Sequence, residues 1–109
     1  MLDAMETQAR PKRRRLKLAR PVFVRPSSPA DKHFQEVRTT LSASTAGLYF
    51  TSWREGYYKG MRLFVTYPYS AQGPVGCSEY VGEVTAVDHL EGMRRGIGVR
   101  FLSSVSSLS

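Results

Sequence analysis

The strongest constraint on this chain is a two-residue rhythm. Met61, Leu63, Val65 and Tyr67 alternate with Arg62, Phe64 and Thr66, between Gly60 and Pro68. Successive strand residues point to opposite faces, so the run predicts a strand with one mainly apolar face. A second run follows over Glu79 to Val87, where Val81, Glu83, Thr85 and Val87 alternate with Tyr80, Gly82, Val84 and Ala86. A third spans Gly96 to Leu102, with Ile97, Val99 and Phe101 on one face and Gly98 and Arg100 on the other.

The same chemistry recurs upstream. Pro21-Val22-Phe23-Val24-Arg25 is β-branched and aromatic and stops at the Pro26-Ser27-Ser28-Pro29 breaker. Asp31 to Glu36 reads as a polar connection. Val37 to Ser42 and Gly47 to Ser52 read as two further strands, linked tightly through Ala43 to Ala46. Ala71 to Gly76 is a turn-rich link. Helical spacing is absent except over Ser52 to Lys59, which is at most one turn. Six short strands separated by turn chemistry predict an all-β fold, a small antiparallel barrel or sandwich; barrel closure removes exposed sheet edges. The expected organisation is a flexible N-terminal segment over 1–19, a barrel over 20–103 and a short serine-rich tail over 104–109.

With 109 residues and 41% hydrophobic content, the chain has room for one core and enough apolar material to fill it. No apolar run approaches the roughly 20 residues of a membrane-spanning helix. The first nine residues carry Asp3 and Glu6 and do not read as a signal peptide. The lone Cys77 fits a reducing compartment, and the expected location is the cytoplasm. Of the 16 basic residues, eight lie between Arg10 and Arg25, a stretch without any acid. The rest of the chain holds eight basic and nine acidic residues, so the net charge of +7 belongs to one segment. A near-neutral body with one cationic arm predicts a focused site for an anion.

Catalytic constellations are missing. His33 and His89 are isolated, in a polar link and a turn, and read as surface residues. No Cys/His cluster has metal-binding spacing, and neither a phosphate loop nor a nucleophile elbow is present. The expectation is a binding module rather than an enzyme, with no metal and no cofactor.

Two segments stand out. Arg10-Pro11-Lys12-Arg13-Arg14-Arg15-Leu16-Lys17 is dominated by arginine, whose planar fork of donors matches phosphate oxygens and the O6/N7 edge of guanine. The plainer reading is a solvated basic tail. Ser42-Ala43-Ser44-Thr45-Ala46-Gly47 joins two strands with hydroxyls and exposed N–H groups that can cup an anion. Glycine there permits positive φ and close approach of a ligand. The plainer reading is a polar turn.

Taken in order, these segments resemble the PilZ domain family. Arg10-x-x-x-Arg14 matches its RxxxR element, and Ser44-x-x-Gly47 matches the second half of its [D/N]xSxxG element, about thirty residues on. Gly47-Leu48-Tyr49-Phe50, Gly60 to Val65, Gly82-Glu83-Val84 and Gly96 to Phe101 extend the resemblance over nearly the whole chain. It implies a six-stranded antiparallel PilZ-type β-barrel that binds cyclic di-GMP, signals to a downstream protein and performs no catalysis. It also implies a ligand site of Arg10, Arg13, Arg14, Arg15, Ser42, Ser44 and Gly47. One departure stands out: Ser42 replaces the family's Asp or Asn. Which of Arg13, Arg14, Arg15 or Lys17 fills the second arginine role stays open. Two other readings remain: a PilZ-fold adaptor that has lost nucleotide affinity, and a small RNA- or DNA-binding barrel. The latter would stack bases on Tyr57, Tyr58, Tyr67, Tyr69 or Tyr80.

Overall fold

The computed structural model describes residues 19–73 and 77–105. Arg10, Arg13, Arg14 and Arg15 lie outside the described residues. The described residues form six antiparallel strands: β1 (Pro21–Pro26), β2 (Glu36–Ala43), β3 (Gly47–Ser52), β4 (Arg62–Tyr67), β5 (Ser78–His89) and β6 (Arg95–Val105). They close into a barrel in the order β1-β2-β3-β6-β5-β4, with β4 pairing back onto β1. No helix interrupts them, so the expected all-β barrel is the fold.

The two-residue rhythm fills the interior. Val22 and Val24, Leu48 and Phe50, Leu63 and Val65, and Ile97 and Val99 point inward and are buried, with Val84 from β5. Fully burying a side chain of this size contributes about 1.5–3 kcal/mol. Gly82 faces the same interior because a Cβ there would sit 2.6 Å from the Val99 side chain. At one end of the barrel, Tyr80 stacks on Phe101 with centroids 4.0 Å apart. At the other, Tyr57 meets Phe34 and Phe50 edge-on.

The strands outrun the sequence reading at two places. β5 continues through Asp88 and His89, which pair with Gly96 and Arg95, so His89 ends a strand rather than sitting in a turn. β6 runs on to Val105, because Ser103, Ser104 and Val105 pair with Val81, Tyr80 and Glu79. Serines have weak strand preference, and the waiting edge of β5 overrides it. The segment from Ser52 to Lys59 forms no helical turn.

Three register shifts punctuate the ladders. Leu41 is an extra residue on β2, Thr85 on β5 and Leu102 on β6. A bulge leaves its extra residue unpaired and re-aims neighbouring side chains. Leu41 is thereby exposed, while Ser42 and Ala43 are both buried. Among the described residues no helix is long and apolar enough to cross a membrane.

Candidate functional site

The β2–β3 turn is built from its own backbone. The Ser44 N–H donates to the Gly47 carbonyl at 2.8 Å, and the Ser44 Oγ accepts the Ala46 N–H at 3.1 Å. The Ala46 carbonyl in turn accepts the Phe101 N–H of β6 at 2.8 Å. The turn is therefore tied to the barrel wall.

Gly47 serves a different purpose from the one expected. Its φ lies outside the left-handed region. It is glycine because a Cβ would stand 2.1 Å from the Val99 carbonyl oxygen, well inside any tolerable contact. The close approach is between β3 and β6. Ser44 and Gly47 line one groove, whereas Ser42 is only 9% exposed and is not among its lining residues.

Beside the turn runs a groove of about 330 Å3, with walls from β3, β5 and β6. Tyr49 lies across it. Its hydroxyl donates to Asp88 Oδ2 at 2.8 Å, and its ring passes over Gly96 and Gly98. A Cβ on Gly96 would overlap the Tyr49 hydroxyl at 1.8 Å, so glycine is what lets the ring lie flat. Burial and the Asp88 carboxylate push the Tyr49 hydroxyl above its ordinary pKa, keeping it a donor. The bulged Thr85 points into the same groove.

Arg100 stands opposite Gly47 in the β3–β6 ladder and lines the groove. Its Nη2 pairs with Glu83 Oε1 at 2.7 Å, with the Arg100 side chain 59% exposed. An exposed pair of this kind is worth about 0–1 kcal/mol. Among the described residues, Glu83 takes only one of the five Arg100 N–H donors.

The root of the basic segment sits next to this turn. The Thr40 N–H donates to the Arg20 carbonyl at 2.9 Å, and the Arg20 N–H returns a bond to Thr40 Oγ1 at 3.3 Å. Thr40 is two residues ahead of Ser42. The start of β1 thus lies beside the strand that carries the motif.

Sequence reasoning missed Tyr49, Asp88 and Arg100 as site residues. The signal was the pair Gly96-x-Gly98 in a strand, which weakens a strand unless something lies close against it. The tyrosines set aside for base stacking are mostly spent elsewhere. Tyr57 is buried in the core, Tyr80 stacks on Phe101, and Tyr69 stacks on Phe23. His33 and His89 are exposed, and among the described residues no cluster could hold a metal ion. A larger cavity of about 490 Å3 opens at the opposite end of the strands and contains none of the motif residues.

No protein-family model matches the sequence, and neither does any curated protein. Among solved structures, the chain is similar to the Bacillus subtilis inhibitor of motility MotI/DgrA, with a TM-score of 0.60 at 12% identity. The match covers 94% of this chain and 47% of that one. The fold is PilZ-like. At this identity the likeness speaks to the barrel, and the chain spans about half the length of its neighbour.

Proposed function

We propose that this chain is a non-catalytic receptor module for cyclic di-GMP. In this reading Arg10, Arg13, Arg14 and Arg15 close over a dinucleotide seated on the Ser44–Gly47 turn and the Tyr49–Arg100 groove. The observation that carries the reading is the pair of hydrogen bonds holding Arg20 to Thr40, beside the motif strand. Arg14 lies six positions before Arg20, and an extended chain covers at most about 3.6 Å per position, roughly 20 Å in all. That span exceeds the roughly 10 Å across two neighbouring strand spacings.

The ligand chemistry fits the arrangement. Two phosphates and two guanines call for bidentate cationic donors above and a small polar platform below. Ordering a free arm costs about 1–2 kcal/mol per residue of backbone, so closure and binding are coupled. Closure changes the surface offered to a downstream protein, which makes the module a switch without chemistry. Its setting is the cytoplasm of a bacterium, where cyclic dinucleotides act.

A second reading, an adaptor that has lost its nucleotide, draws support from Ser42. The family's carboxylate or carboxamide is absent there, and the serine is almost fully buried. Losing a charge-assisted hydrogen bond costs about 1.5–3 kcal/mol, roughly 10–150-fold in affinity. Titration calorimetry separates the two. The receptor reading expects low-micromolar or tighter cyclic di-GMP binding that Arg14→Ala abolishes. No heat at about 100 µM protein, where such affinities saturate, would leave the adaptor.

A further inference from the structure

The larger cavity, at the end of the barrel where β1 finishes and β2 begins, is furnished quite differently from the groove. Two guanidinium groups line it, each laid on an aromatic ring. Arg38 sits over Trp53 at 5.4 Å from the ring centroid, and its Nε donates to the Thr51 carbonyl at 2.7 Å. Arg54 sits over Phe34 at 4.5 Å, and its backbone N–H donates to Ser52 Oγ at 2.9 Å. Both are held in place before any ligand arrives.

The charges lining the cavity balance, with Lys32, Arg38 and Arg54 against Asp31, Glu36 and Glu55. Their partners do not. Glu36 Oε2 accepts hydrogen bonds from Ser52 and Tyr57, and Asp31 Oδ1 accepts from Tyr58. The remaining Asp31 oxygen is buried without a hydrogen-bond partner. Neither Arg38 nor Arg54 has a carboxylate partner, the ion pair among the described residues being Arg100 with Glu83. Asp31 and Glu36 are thus each held through one oxygen by tyrosine or serine hydroxyls, while the Nη donors of the two ring-stacked guanidinium groups stay open. Trp53 is 59% exposed beside them, unusual for a residue that is commonly well buried. Tryptophan and arginine around a cavity of this size form the composition of a protein-binding hot spot.

We propose that this end of the barrel docks a partner protein through a short acidic–apolar segment. A carboxylate side chain is received by Arg38 and Arg54, and a neighbouring apolar side chain packs on Trp53. Nothing in this assignment depends on whether the chain binds a nucleotide.

Trp53 is the chain's one tryptophan, so its emission reports on this cavity directly. The test titrates the full chain with the blocked peptide Asp-Leu-Asp-Leu-Glu and with its amide twin Asn-Leu-Asn-Leu-Gln. The acidic peptide should change Trp53 emission saturably and bind about tenfold or more tighter than the twin, weakening as salt rises. Arg38→Gln with Arg54→Gln should erase that preference. Arg54→Gln alone, on an exposed side chain, should weaken it severalfold with an unchanged melting temperature, which guards against loss of fold. Silent Trp53 emission, an equal response to both peptides, or an undiminished response in the double variant would overturn the proposal. Binding to the basic arm instead would give heat without a Trp53 signal, and would overturn it too.

Discussion

The two ends of this barrel solve the problem of making a binding surface in opposite ways. The groove beside the β2–β3 turn is carved out by subtraction: Gly47 and Gly96 let backbone and a flat tyrosine ring approach where a Cβ would collide. Among the described residues, Arg100 is the one cation that lines it. The opposite cavity is made by addition, with Glu36 gripped by two hydroxyls and each arginine seated on a ring. A surface made by subtraction needs its charge brought to it, in our account by the arginine segment. A surface made by addition is ready beforehand. The first suits a switch, and the second suits a constant dock.

The harshest way to break this contrast is Gly47→Ala. With the new Cβ 2.1 Å from a backbone oxygen, the β3–β6 ladder must part. We expect a loss of about 3 kcal/mol or more, which for a domain of this size lowers the melting temperature by roughly 10–20 °C. Thermal unfolding checks it, and wild-type stability would mean the turn is not held as described.

Next in size is Tyr57→Phe at the other end. It removes a donor from the half-buried Glu36 and should cost about 1–3 kcal/mol in chemical denaturation. A pH signature accompanies it. Burial and Glu36 raise the Tyr57 hydroxyl well above the ordinary tyrosine value. The folded state therefore holds this proton more tightly than the unfolded chain, so the contribution is intact below about pH 10 and is lost as pH rises further. Unfolding measured from pH 9 to 11 should show the wild type losing stability more steeply than Tyr57→Phe.

A subtler change is Arg100→Gln in the groove. Because its pair with Glu83 is exposed, stability should move by less than about 1 kcal/mol. Cyclic di-GMP affinity should fall about tenfold, the low end for a charge-assisted contact, because the side chain is exposed. Equal affinity would remove Arg100 from the site. Smallest is Ser42→Asp, which supplies the family's carboxylate at a nearly buried position and should tighten binding severalfold, short of the full range of roughly 10–150-fold; unchanged or weaker binding would mean the position cannot present it.

What the sequence made legible follows from where the physics is local. Alternation over Met61 to Tyr67 and Ile97 to Phe101 places those residues without reference to anything distant, and the barrel follows. The Ser44–Gly47 turn was readable for the same reason. Gly47 was misread because its constraint comes from Val99, some fifty residues away in sequence. Ser103 to Val105 gave no strand signal of their own, since their pairing is imposed by β5. Tyr49, Asp88 and Arg100 converge only after closure of β3, β5 and β6. The end cavity was invisible throughout, since Phe34, Arg38 and Trp53 share no sequence pattern.

The central claim is that arm and turn form one site. A double-mutant cycle of Arg14→Ala and Ser44→Ala, read by cyclic di-GMP calorimetry, tests it most directly. Our account predicts low-micromolar binding by the wild type and a coupling energy above about 1 kcal/mol between the two positions. Effects that add to within about 0.5 kcal/mol, or a wild type that binds no cyclic di-GMP, would contradict it.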